Sequence, residues 1–202
     1  MCPGRCARCV GIALVPLALI AIPASVILLF PNGEREYLTD AHITWVALFL
    51  PGLWGSGFMV VLAALSIQAA AADGCCCFCT SLRVKMFVSV IYAQLAIIGS
   101  ATCFGSSALG LIKGPLCLFN TTLSNKTQVQ LWDYPFHDRN RSSSAESYLS
   151  DPSLWAICEK PKNIVLWNTV LFCTLMVISC LEVLLCTMQI INGLLGCIFG
   201  RC

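Results

Sequence analysis

The chain has 202 residues, of which 58% are hydrophobic and 11% charged, with a net charge of +2 and 15 cysteines. Soluble domains are about a quarter charged, and so few charges cannot cover this much apolar surface in water, which excludes a soluble globular domain. The small net charge also argues against a nucleic-acid footprint, so the bilayer is the natural solvent.

Residues 1–9 form a short basic head with Cys2, Arg5, Cys6, Arg8 and Cys9. Residues 10–30 carry no charge and match the ~20 residues a helix needs to cross hydrocarbon. No small-residue cleavage site follows, so this stretch reads as a retained signal anchor. Pro16 and Pro23 lie inside it and predict a kink covered by neighbouring helices. Pro31-Asn32-Gly33 supplies turn chemistry, and 31–43 is a small polar loop. The second span, 44–71, is longer than needed and allows a tilt or an interfacial turn before Pro51-Gly52. Trp45 and Trp54 suit the outer interface. A cysteine-rich loop, 72–85, leads to the third span, 86–112. The large polar loop covers 113–164. The fourth span, 165–191, opens with Trp167, and 192–202 is the tail. The expected fold is an all-α membrane protein: a four-transmembrane-helix bundle with a short first and a large second extracellular loop.

The large loop orients the molecule. It contains Asn120-Thr121-Thr122, Asn125-Lys126-Thr127 and Asn140-Arg141-Ser142, and no other such triplet occurs in the chain. Acceptor asparagines are modified only on the lumenal side, so this loop is read as extracellular and both termini as cytoplasmic. Cys117 and Cys158 lie near its ends, where an oxidising compartment favours a disulfide. The total count of Lys and Arg does not favour this orientation. Across the first span it does, because Arg5 and Arg8 face a single Arg35, and long loops translocate largely regardless of charge.

Cys2, Cys6, Cys9, Cys75, Cys76, Cys77, Cys79, Cys197 and Cys202 then sit at or near the cytoplasmic face. Thiols there stay reduced, and juxtamembrane cysteines are candidates for palmitoylation. A metal site built from Cys6, Cys9 and Cys75 to Cys79 is the sharper rival, although the spacing is too dense for a standard zinc module. Unmodified interfacial thiols are the plainest reading. Cys103, Cys173, Cys180 and Cys186 fall within spans and read as small packing residues.

Glu182 is the one acid in a span, and Gln94 lies at a similar depth on the preceding span. A charge in hydrocarbon turns inward and finds a partner, so a Gln94–Glu182 hydrogen bond is expected. A structural interhelical bond is favoured over a proton-linked pore, because no basic partner accompanies the acid. Gly99, Cys103 and Ser107, with Ser106 and Gly110 alongside, form a row of small residues that permits close helix packing. No catalytic grouping, phosphate loop, cofactor motif or metal set is recognisable. His42 and His137 lie in outer loops.

Several motifs resemble the transmembrane 4 L-six family of tetraspanin-like four-span proteins. They are the head Met1-Cys2-x-Gly4-x-Cys6-Ala7-Arg8-Cys9, the Pro31-Asn32-Gly33 turn, and Lys113-Gly114-Pro115-x-Cys117. Tyr134-Pro135-Phe136-His137-Asp138, Leu154-Trp155-x-x-Cys158 with Pro161, Trp167-Asn168, Leu171-Phe172 and Asn192-Gly193-Leu194-Leu195-Gly196 extend the likeness over nearly the whole chain. The sequence looks closest to the intestine-and-liver member group. The Cys-Cys-Gly motif of true tetraspanins is missing from the large loop. Ser25 stands where relatives often have Asn, the segment 120–150 looks longer than in relatives, and the tail stops at Cys202.

The resemblance implies a non-enzymatic organiser of the plasma membrane that affects adhesion, motility and proliferation. The partners it implies are integrins, tetraspanins and growth-factor receptors within the lipid bilayer, with a sterol and a second copy of the chain as further candidates. One alternative is a lipid or small-molecule sensor or carrier with an intramembrane cavity near Glu182. Another is a junction protein of the claudin sort, which the cysteine-free first loop argues against.

Overall fold

The computed structural model describes residues 3–34, 43–72, 79–122, 128–136 and 148–199. Four of its helical segments are long and apolar enough to cross a bilayer: Arg5–Ile27, Trp45–Ala71, Val84–Lys113 and Ile164–Cys197. The third and fourth belong to helices of 35 and 36 residues, Cys79–Lys113 and Ile164–Phe199, both longer than the expected spans.

Buried residues on the fourth span recur with alternating steps of four and three: Asn168, Phe172, Leu175, Ser179, Glu182, Cys186, Gln189 and Gly193. On the third span the matching series is Met86, Ser89, Ala93, Ala96, Ser100, Cys103, Ser107 and Gly110. A mean step of 3.5 against 3.6 residues per turn keeps a seam facing its partner only if the helices wind left-handedly. These two seams form the most extensive helix pair, and the first span packs against the second and fourth. Large apolar residues off the seams, such as Leu19, Ile98 and Val177, are exposed and suit lipid.

The first span is one unbroken helix, Pro3–Ile27, with both prolines inside it. Pro16 and Pro23 are exposed, so the expected cover by neighbouring helices is not what the fold provides. The second span does start with a separate turn. Trp45–Leu48 makes one helical turn, and Leu50 then takes a left-handed conformation at φ 46° before Pro51. Pro51–Leu53 resumes the helix, Trp54–Met59 is wound as a π-helix, and Val60–Ala72 completes it. A proline disfavours the right-handed helical region for the residue before it, which is consistent with a break at Leu50, although Pro16 and Pro23 are accommodated within an unbroken helix.

The large loop contains a sheet that the all-α expectation lacked. Strands β1 (Cys117–Thr122) and β2 (Gln128–Asp133) pair antiparallel, with Phe119 opposite Leu131 and Asn120 opposite Gln130. The chain returns beside β1, where the Leu118 amide donates to the Lys160 carbonyl and the Glu159 amide to the Leu118 carbonyl, both at 2.9 Å.

Candidate functional site

Glu182 stands at the middle of the fourth-span seam and is fully buried. Two hydroxyls from different spans donate to its Oε2: Ser56 at 2.5 Å and Ser100 at 2.8 Å. The carboxyl therefore ties the second, third and fourth spans together near mid-membrane. Its Oε1 has no partner among the described residues. Cys103 lies against Ser107 and Ser179 on the loop side of this clamp. Seven residues further along the seam, Gln189 donates to Ser89 at 3.4 Å.

The expected Gln94–Glu182 bond is not formed. Gln94 is exposed on the lipid-facing side of the third span. Six residues at ~100° each leave Gln94 roughly 120° around the helix from Ser100, and about 9 Å away along the axis. Depth alone suggested the pairing, whereas helical phase decides it. The phase was readable from the small-residue row, since Ser100 lies three residues before Cys103 and seven before Ser107. Ser56 carried no such signal, because the π-wound segment shifts the phase at that point.

The row itself does form a close crossing. Gly99 meets Gly55 backbone to backbone, with no room for a Cβ on either, and Gly110 lies under the Phe172 ring. Ser25 is buried against Gly52, with no partner for its Oγ among the described residues.

At the loop end, the chain leaves the third span through Gly114, whose φ of 77° is a glycine conformation. Cys117 and Cys158 form the expected disulfide, 41 residues apart in sequence. Around it, Phe136 stacks on Tyr148 at 4.5 Å between ring centroids, over Ile164 and Val165. Tyr148 donates to the Leu111 carbonyl at the end of the third span, and burial pushes its phenol up to about 12. Trp155 Nε1 donates to the Tyr148 carbonyl at 2.8 Å. These contacts lock the head onto the third and fourth spans. The buried Phe136 explains the Tyr134-Pro135-Phe136 motif, whereas His137 lies outside the described residues.

Asn120 is exposed on β1, and its Nδ2 donates to Glu159, which also accepts from Gln130 at 3.1 Å. Attachment of a sugar at Nδ2 leaves one N–H for that bond. Asn125 and Asn140 lie outside the described residues. So do Cys2, Cys75, Cys76 and Cys77. Cys6 and Cys9 are exposed in the first turns of the first span, Cys79 begins the third helix, and Cys197 lies in the last turn of the fourth. Among the described residues, no three His, Cys, Asp or Glu side chains are placed to hold a metal.

The whole chain, residues 1–202, matches the model of the L6 membrane protein family. Human transmembrane 4 L6 family member 1 is 40% identical across the full chain and 96% of its own length. Family member 5 of Bos taurus is 38% identical over 96% of its length, and member 4 of Rattus norvegicus 37% over 94%. No solved structure matches the chain. With four apolar helices in place and this likeness running end to end, the chain belongs to the L6 family of multi-pass membrane proteins.

Proposed function

We propose that this protein is a non-enzymatic organiser of the plasma membrane, with both termini cytoplasmic. In this reading it gathers integrins, tetraspanins and growth-factor receptors into lateral complexes that modulate adhesion, motility and proliferation. The observation that carries the reading is the division of the surface. Glu182, Gln189 and the serines Ser56, Ser89, Ser100, Ser107 and Ser179 are buried in the seams, large apolar side chains face outward along the bundle, and a disulfide-tied head stands on one end. Such a surface has contacts to offer sideways and at the head. The clamp at Glu182 serves as a structural fastener, and no acid–base partner accompanies it among the described residues. A carrier cavity at Glu182 is the weaker reading, because packed hydroxyls occupy the space beside the carboxyl.

In the same proposal, Asn120, Asn125 and Asn140 carry sugars. Cys2, Cys6, Cys9, Cys75, Cys76, Cys77, Cys79 and Cys197 accept palmitate, each buried methylene contributing about 0.8 kcal/mol to the choice of lipid surroundings. The test is crosslinked capture from native membranes, read by mass spectrometry beside palmitate exchange. An integrin, tetraspanin or growth-factor receptor should be enriched over an unrelated four-span protein. Changing the eight cysteines to Ser should reduce that enrichment while the Cys117–Cys158 bridge still forms. A capture profile equal to the control, or wild-type protein without palmitate, removes the reading.

A further inference from the structure

On the loop side of the bundle, a lipid-facing groove of about 370 Å³ separates the broken start of the second span from the third. Its walls come from Trp45, Phe49, Pro51, Trp54, Thr102 and Ser106. The groove exists because the second span does not run straight there. The left-handed turn at Leu50 and the π-wound stretch Trp54–Met59 are both departures from regular helix. Such departures persist only where the surroundings hold them, and they cluster at functional sites.

The two hydroxyls of the walls are already satisfied. Thr102 Oγ1 donates to the Gly99 carbonyl at 2.7 Å, and Ser106 Oγ to the Thr102 carbonyl at 2.8 Å. What the groove offers is therefore an apolar surface suited to hydrocarbon. Its mouth is cationic: Lys113 Nζ stands 5.0 Å from the centroid of the Trp45 ring. No acidic side chain pairs with Lys113 among the described residues. From Thr102 to Lys113 the third helix rises roughly 16 Å, about half of a ~30 Å hydrocarbon core. The groove together with the ammonium beyond it thus spans about the depth of one leaflet, open to lipid along its side and charged at headgroup level.

We propose that this groove binds one glycerophospholipid from the leaflet on the side of the large loop. One acyl chain lies along Trp54, Thr102 and Ser106, and the phosphate meets the Lys113 ammonium. A sterol would leave the ammonium without an anion, so the cationic mouth favours the phospholipid.

The test is native mass spectrometry of the full chain released from phosphatidylcholine vesicles, with Ser106→Phe and Lys113→Gln beside wild type. Wild type should keep one phosphatidylcholine. Ser106→Phe fills the groove and should lose it. Lys113→Gln should lower the retained fraction, because the phosphate loses the ammonium it meets. Diacylglycerol has no phosphate, and its retention should not respond to Lys113→Gln. Thr102→Phe fills the same space and replaces Ser106→Phe if that variant fails to form its disulfide. Full retention in a folded groove-filling variant overturns the proposal. So does full phosphatidylcholine retention by Lys113→Gln, or preferential retention of cholesterol from mixed vesicles.

Discussion

A methyl group on Gly99 would lie 2.6 Å from the Gly55 carbonyl oxygen, and one on Gly55 2.3 Å from the Gly99 carbonyl oxygen. Ordinary van der Waals contact begins near 3.4 Å, so either alanine asks the second and third spans to part by about 1 Å. Overpacking of this kind costs about 1–3 kcal/mol. The same movement separates Ser56 from Ser100, which converge on one oxygen of Glu182, and losing one such membrane hydrogen bond adds about 0.6 kcal/mol. Against this, alanine gains up to about 1 kcal/mol over glycine in helix propensity. Gly99→Ala should therefore be destabilised by about 1–3 kcal/mol net in reversible unfolding from bicelles. Gly105 is the internal control: no atom of the described residues lies within 4 Å of its Cβ position, so Gly105→Ala collects only the propensity gain. The double variant Gly55→Ala/Gly99→Ala should cost less than the two single losses together, because one separation relieves both contacts. If Gly99→Ala and Gly105→Ala melt alike, the close crossing does not set the packing of these spans.

Ser100→Ala and Ser56→Ala should each lower stability by about 0.6 kcal/mol, and a double-mutant cycle should show coupling through Glu182; strict additivity would refute a shared clamp. Cys117→Ser should cost up to about 4 kcal/mol by loop-closure entropy, with Cys158→Ser equal to it and the double variant no worse, read by unfolding under non-reducing conditions. Tyr148 holds its proton more tightly when folded, because burial raises its phenol from 10.0 to about 12. Its contribution is thus intact below about pH 10 and is lost as pH rises through about 12, and Tyr148→Phe should remove that part of the pH dependence. Endoglycosidase should increase gel mobility, with Asn120→Gln, Asn125→Gln and Asn140→Gln each removing one step; an unchanged mobility places the large loop away from the lumen.

The spans, their order, the outward prolines' presence in the first helix and the Cys117–Cys158 bridge follow from composition, length and compartment chemistry. These are one-dimensional properties: an apolar stretch of sufficient length satisfies its own backbone wherever its neighbours lie. The separate turn before Pro51 was readable for the same reason, since proline acts on the residue next to it. What the sequence left open depends on rotation about helix axes. Gln94 and Ser100 share a helix and differ by a turn and two-thirds, yet only one faces Glu182. The fourth-span seam continues without interruption through apolar and polar residues alike, so hydrophobicity alone does not mark it. Tertiary packing alone determined that Ser56 reaches the acid, because a π-wound segment rotates it there. In the large loop, β1 pairs with the nearby β2, and only its further partners, Glu159 and Lys160, are residues brought back across the disulfide. Length and oiliness set which segments enter the bilayer; the angle at which each presents its side chains is decided only when all four are packed together.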